Sequence, residues 1–386
     1  MDQEQRIGFT IVTLILCIDM LVYSILVPVI PYLQHKFNPS STVMGVLLSI
    51  YAFALLIFTP FFGTLSDKIG RKVPILLGLF FFAFSTFLFA IGKNMPMLIL
   101  ARFIQGVAAS SIWSAAFALL ADIFPSKVRG VAIGLVLTLI EIGSLFGAPL
   151  SGWFLEIGGY KLPFFFTMWL SIICFLFGLI LLRDPLIIKN SKVTFLDFLK
   201  KNNVIFMSII VFIANSTLYL LEPVLPLFLT DKFKISPIMI GILFGVTTLA
   251  YAIVTPFLGF LTEKISVFKL ITLGMIFLSF SIPFIVMVKN IWQEFFAMFA
   301  LGISVSISSS PALYSLSKVA DTDGVNSYGA AYGVFNMFHA IGMIVGPLLG
   351  GFLMDFIPFS SVIMGLSVFL FLISMLTLFY KFVLTM

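Results

Sequence analysis

The sequence predicts an all-α integral membrane protein, with twelve transmembrane helices in two pseudo-symmetric six-helix halves. Three observations predict this. First, of 386 residues, 61% are hydrophobic and 10% are charged, with mean hydropathy +1.19. A soluble domain carries ~25% charged residues, so this chain has too few to cover a water-facing surface, and most of that surface must meet lipid. Second, the apolar residues fall into twelve runs of spanning length. Third, the second half of the chain repeats the first.

The runs, bounded by charge, Pro, Gly and Asn, are 8–33, 43–65, 74–92, 96–121, 130–156, 162–182, 204–229, 237–262, 268–288, 292–317, 327–354 and 358–383. Each is long enough to cross a hydrocarbon core of ~30 Å. The first apolar stretch extends from near Ile7 to Leu33, too long for a signal-peptide core, so it is expected to stay as the first helix. The longest polar connection carries Arg183, Lys189, Lys192, Lys200 and Lys201. It divides the chain into an N-terminal half, 1–183, a cytoplasmic linker, 184–203, and a C-terminal half, 204–386. With twelve spans, fifteen Lys and Arg residues lie on the side of the termini and six on the other, which places both termini in the cytoplasm.

The net charge of +6 comes from single residues and short clusters between apolar runs. It sets topology and gives no basic arm for nucleic acid. Cys17 and Cys174 lie inside apolar runs and suggest neither a disulfide nor a metal site. With two His and two Cys there is no cluster of nucleophile, base or metal ligands, and no Walker loop. An enzyme is therefore not expected, nor a metal or other cofactor.

The duplication is legible residue by residue. Pro28-Val29-Ile30-Pro31 matches Pro223-Val224-Leu225-Pro226 at an offset of 195. Gly45, Thr59, Pro60, Gly63, Leu65, Lys68 and Ile69 match Gly241, Thr255, Pro256, Gly259, Leu261, Lys264 and Ile265 at 196. Asp122, Gly134, Gly143, Gly147, Gly152 and Glu156 match Asp321, Gly333, Gly342, Gly346, Gly351 and Asp355 at 199. Parallel six-helix repeats place a substrate between them near the bilayer midplane and work by rocking.

Between spans 2 and 3 runs Gly63-Thr-Leu65-Ser-Asp67-Lys68-Ile-Gly70-Arg71-Lys72. A glycine-permitted turn there sets a carboxylate and basic groups beside helix ends. Gly63, Asp67, Arg71, Lys72 and Asp122 form a candidate conformational latch on the cytoplasmic side. The loop resembles the signature of the major facilitator superfamily. Leu98-x3-Arg102-x2-Gln105-Gly106 in span 4 resembles a second motif, found in that family's proton-coupled members, where Arg102 sets the proton affinity of nearby carboxylates. An arginine in a span needs a partner or a wet cavity, or else snorkels to the interface. Gly143, Gly147 and Pro149 in span 5 and Gly342, Gly346 and Pro347 in span 11 resemble the antiporter motif, whose small residues let helices approach closely. Span 11 carries the cleaner copy.

Acids inside the membrane are the most informative residues. Asp19, Glu141 and Glu222 lie within spans 1, 5 and 7. An ionised carboxylate there costs several kcal/mol, so each needs a partner, water or a proton. Asp19-x8-Pro28-Val-Ile-Pro31, Glu222-Pro223-Val-Leu-Pro226, Ala101-Arg102-Phe-Ile-Gln105-Gly106 and Tyr328-Gly329-Ala-Ala-Tyr332-Gly333 are together similar to the vesicular amine transporters and their bacterial multidrug-exporter relatives. The resemblance covers nearly the whole chain. It implies that Asp19 binds a substrate ammonium and that Glu222 serves recognition and proton coupling. Where those amine transporters carry a lysine in span 2 and aspartates in spans 10 and 11, this chain has Tyr51, Ser306 and Asn336. Coupling then rests on Asp19, Glu222, Glu141 and Arg102.

Aromatics that can face a cation are Tyr23, one turn from Asp19, and Tyr219, three residues before Glu222, with Trp113 and Phe338 as further candidates. Each has packing as its plainer alternative, and Tyr51 and Asn336 complete the candidate substrate-binding set. His339 either titrates near neutral pH or makes a structural hydrogen bond. The expectation is a monomeric proton-coupled antiporter in a bacterial plasma membrane, exporting lipophilic organic cations and driven by the proton gradient. The alternative is a proton-coupled exporter of neutral solutes, such as sugars or a tetracycline-like antibiotic.

Overall fold

A computed structural model describes residues 3–184, 202–322 and 328–384; the side chains of 4, 126–127, 130, 202–203, 316–322, 328–332 and 379–384 are left aside. Thus 185–201, most of the expected linker, lies outside the described residues, as do the side chains of 328–332 in the Tyr328–Gly333 motif. The helices are α1 (Gln3–Phe37), α2 (Ser41–Ile69), α3 (Lys72–Ile91), α4 (Met95–Ile123), α5 (Ser126–Gly158), α6 (Lys161–Leu181), α7 (Asn202–Leu221), α8 (Leu225–Phe233), α9 (Pro237–Lys264), α10 (Val267–Met287), α11 (Ile291–Thr322), α12 (Tyr328–Met354) and α13 (Phe359–Leu384). Among the described residues twelve of them are long and apolar enough to cross a membrane. Phe80, Trp169, Ile180, Phe260 and Phe296 are among many large apolar side chains left exposed, the lipid-facing surface that the low charge content requires.

The expected seventh span is two helices. α7 ends at Leu221, Glu222-Pro223-Val224 form a turn, and α8 begins at Leu225. Pro223 has no N–H and its ring clashes with the carbonyl four residues back, which costs ~3 kcal/mol in a helix interior, and the residue before it is pushed out of helical conformation. Pro226 is harmless at the start of α8. The turn also absorbs one residue. Leu21 and Ser216 occupy equivalent places, since each offers its carbonyl to the matching glycine, Gly147 or Gly346. Lys36 and Lys232 are equivalent too, each over its own pair of neighbouring rings. The offset therefore changes from 195 to 196 across the break. In α1 the matching Pro28 and Pro31 leave the helix continuous.

The chain forms two compact units, 1–39 with 46–190 and 236–241, and 40–45 with 191–235 and 242–386. In the first, α1 packs on α5 and α3 packs on α4 and α6; in the second, α7 packs on α12 and α10 packs on α11 and α13. The backbone crossings are close. A Cβ at Gly143 would stand 2.0 Å from the Cys17 carbonyl, and one at Gly346 2.5 Å from that of Ser216. Pro149 and Pro347 lie inside α5 and α12 without ending them. The first turn of α2 belongs to the second unit, where the Asp355 carboxylate accepts the Ser41 and Thr42 amides at 2.8 and 3.1 Å.

Candidate functional site

In the first unit the intramembrane carboxylate is surrounded. Asp19 is 1% exposed. The Tyr51 hydroxyl on α2 donates to its two oxygens at 3.0 and 2.8 Å, and the Trp113 indole on α4 donates to Oδ2. Arg102, on the same face of α4 as Trp113 and about three turns away, is 2% exposed and does not snorkel. Its guanidinium lies over the rings of Tyr23 and Tyr51, 4.9 and 4.7 Å from their centroids, and donates to Gln105 Oε1. Its charge also acts on Asp19. The cation that Tyr23 meets in this structure is therefore Arg102, and Tyr51 serves both the anion and the cation. Each stacked ring contributes ~1–2 kcal/mol to a desolvated cation, which offsets part of the cost of burying Arg102. Glu141 is half-buried on α5, and its charge acts on the Cys17 thiol.

In the second unit Glu222 is buried in the turn that ends α7. The Tyr219 hydroxyl is 2.8 Å from His339 Nε2 on α12, so this histidine makes a structural hydrogen bond. Phe335 flanks the same imidazole, with ring centroids 6.2 Å apart. Asn336 and Phe338 are half-buried on α12, and Phe338 packs against the apolar core of the unit.

The latch residues assemble within the first unit. Arg71 pairs with Asp67 at 2.6 Å and with Asp122 at 2.7 Å, and also donates to Ser66 Oγ. Burial works against the Arg71 cation, and the two carboxylates outweigh it, raising its proton affinity above the ordinary arginine value. Lys72 Nζ donates to the Leu179 carbonyl. Within the Gly63–Lys72 stretch the turn does not fall at Gly63, because α2 continues to Ile69. The turn glycine is Gly70, at φ +92°, in the left-handed region that favours glycine, and its missing Cβ leaves room for the Asp184 carboxylate.

Sequence reasoning passed over two acids. Asp184 caps α3 by accepting the Arg71 and Lys72 amides at 2.6 and 2.8 Å; it was hidden by the basic residues that follow it. Glu294 lies in the first turn of α11 and is fully buried; the signal was an acid just inside an apolar run.

Matching the two units shows which residues are scaffold. A Cβ added at Gly106 or at Gly302 would meet equivalent atoms, the carbonyls of Tyr51 and Thr247, at 2.2 Å each, which fixes an offset of 196 for α2/α9 and α4/α11. At that offset Tyr51, Arg102, Gln105 and Trp113 correspond to Thr247, Met298, Leu301 and Ser309. At 195, Asp19 matches Ala214 and Glu222 matches Val27. The intramembrane charged residues Asp19, Arg102 and Glu222 thus stand where the other unit has small or apolar residues. Packing symmetry alone would not require that.

Comparison with known proteins gives the family and the fold. The family model described as Major Facilitator Superfamily matches residues 12–219 and 204–385. Multidrug resistance protein 1 of Bacillus subtilis is 31% identical over 365 residues, covering 92% of this chain and 91% of that protein. Quinolone resistance protein NorA of Staphylococcus aureus is 27% identical over 342 residues, covering 86% of each. A bacterial homolog of the human lysosomal transporter Spinster, solved inward-facing and unoccupied, superposes with a TM-score of 0.78 at 14% identity over 97% of this chain and 94% of that one.

Proposed function

Because the chain belongs to the Major Facilitator Superfamily of membrane transporters, we propose that it is a proton-coupled antiporter exporting lipophilic organic cations or amines. It is a transporter and not an enzyme. The observation that carries the finer reading is the buried Asp19 carboxylate, held by Tyr51 and Trp113, with Arg102 stacked on Tyr51 and Tyr23. Similarity to proteins named for multidrug and quinolone resistance supports export of drug-like molecules.

A buried carboxylate bears one negative charge, which either a proton or a substrate cation neutralises. Binding one excludes the other, so exchange follows from electrostatics. Hydroxyl and indole donors hold the carboxylate in place, and aromatic faces supply a weakly hydrated surface for a lipophilic cation. Glu222, Glu141 and Arg102 complete the coupling set. Two halves, 1–183 and 204–386, joined through 184–203, alternate access by rocking. Both termini face the cytoplasm of a bacterial cell, the proton gradient supplies the energy, and no cofactor is required.

The test is pH-driven efflux of a fluorescent lipophilic cation from proteoliposomes, comparing wild type with Asp19→Asn and Glu222→Gln. Exchange in wild type and its loss in both variants is the expected result. Transport surviving both substitutions refutes the site, and movement of a neutral compound without any cation flux refutes the substrate class.

A further inference from the structure

Glu294 has no role in the exchange site described above, yet among the described residues it is the most completely buried carboxylate of the second unit, at 0% exposure. Neither of its oxygens has a hydrogen-bond partner among the described residues. Its position in the duplicated fold is well fixed. Asn94 Oδ1 accepts the Met97 amide at 2.9 Å at the start of α4, and Asn290 Oδ1 accepts the Gln293 amide at 2.9 Å at the start of α11. The same offset of 196 that relates these caps relates Gly106 to Gly302. Glu294 therefore occupies the place of Leu98, itself 0% exposed. One unit fills this place with a leucine; the other fills it with an acid that finds no donor. An ionised carboxylate without a donor costs several kcal/mol there, whereas an apolar side chain of similar size costs nothing. Packing does not account for that choice.

Charged groups near Glu294 are few. α7 has none, α10 has Lys269 in its first turn, at the far end, and α9 has Glu263 and Lys264 in its last turn. α12 contributes His339, tied to Tyr219. In the connection before α11, Lys289 binds Gln293 Oε1 through its backbone amide. The group whose charge reaches Glu294 is Lys232 of α8. Its ammonium donates to the Val286 carbonyl at the end of α10, at 2.8 Å, and lies over the rings of Phe228 and Phe233. Burial lowers the proton affinity of that ammonium, and Glu294 opposes the change.

We propose that Glu294 is a proton-binding site of the second unit, with Lys232 as its electrostatic partner. The neutral acid fits these donor-free surroundings. When the proton leaves to water, the carboxylate is matched by the Lys232 ammonium, which exchanges its Val286 carbonyl for the new anion. The site involves neither Asp19 nor Glu222, and only its use in transport rests on the proton-coupled reading above.

The test is infrared difference spectroscopy of the purified full-length protein between acid and alkaline buffer, read at the C=O stretch of a protonated carboxyl. Wild type and Asp19→Asn are expected to show a carboxyl band that Glu294→Gln and Glu294→Leu lose. The leucine variant copies the residue of the other unit and is the one expected to fold. In Lys232→Met the band persists to more alkaline pH, because the cation that stabilises the carboxylate is gone. A band unchanged in both Glu294 variants overturns the site, and a band unmoved by Lys232→Met overturns the partnership. Failure of the proton-coupled reading is registered separately, as cation flux in proteoliposomes without proton movement, and leaves the band in place.

Discussion

The two small-residue motifs read alike in sequence, yet the backbone separations predict opposite results for the same substitution. At Gly143 an added methyl would stand 2.0 Å from the Cys17 carbonyl oxygen, a backbone atom that cannot rotate away. Ordinary van der Waals contact lies near 3.5 Å, so α1 and α5 must part by more than ~1 Å along that line. Overpacking of this kind costs ~1–3 kcal/mol. At Gly342 the atoms nearest an added methyl, Asn215 Cβ, the Phe212 carbonyl oxygen and the Ser216 amide nitrogen, all stand at 3.2 Å, and a shift of a few tenths of an ångström relieves the contact. There, alanine also recovers ~0.5–1 kcal/mol of helix propensity. Gly143→Ala is therefore expected to destabilise by ~1–3 kcal/mol and Gly342→Ala to be neutral or stabilising. Unfolding of both variants in the same detergent, followed by intrinsic fluorescence, checks the order. Equal losses at the two positions, or a larger loss at Gly342, would refute the inference from carbonyl distance to packing cost.

Two further predictions follow from contacts at helix ends. Asp184→Ala removes the carboxylate that caps the first turn of α3 and is expected to cost ~0.5–2 kcal/mol, while Asp184→Asn, which keeps one acceptor, costs less; equal unfolding midpoints for the two variants would contradict this. At Asp355, slight burial pushes the carboxyl up and the hydrogen bonds from Thr42 and Ser41 outweigh it, leaving it below the ordinary aspartate value. A depressed carboxyl stabilises the fold above its ordinary value and loses that contribution as pH falls through its lowered one. Asp355→Asn should flatten the acid side of the stability profile, and an unchanged profile would remove Asp355 from the account.

The fold class was legible because it depends on composition and on runs of about twenty apolar residues, which no tertiary detail overrides. Asp19, Arg102 and Glu222 were legible for a related reason, since charge within an apolar run is expensive wherever it falls. Their partners were not. That Tyr51 and Trp113 converge on Asp19 from α2 and α4 depends on the rotation of three helices, which periodicity does not determine. Nor does sequence place the turn at Gly70 when α2 still reads as helix through Ile69. The break at Glu222-Pro223-Val224 and the continuity of α1 through Pro28 and Pro31 arise from nearly identical Pro-x-x-Pro stretches. The difference between them is one residue of chain length, legible only when both flanks are put in register.

That register separates scaffold from chemistry on physical grounds. Where the two units agree, each shared residue has a packing or capping reason. Gly106 and Gly302 admit a carbonyl, Asn94 and Asn290 cap a helix, and Lys36 and Lys232 lie over rings. Where they differ at positions removed from water, the residue in one unit shows that an apolar or small side chain satisfies the geometry. The ionisable residue in the other therefore carries an uncompensated cost of several kcal/mol, and that cost has to be met by something other than packing. Asp19 meets it with Tyr51 and Trp113, and Arg102 with two aromatic faces and Gln105. At Glu294, where no donor is present among the described residues, the group able to meet it is a proton.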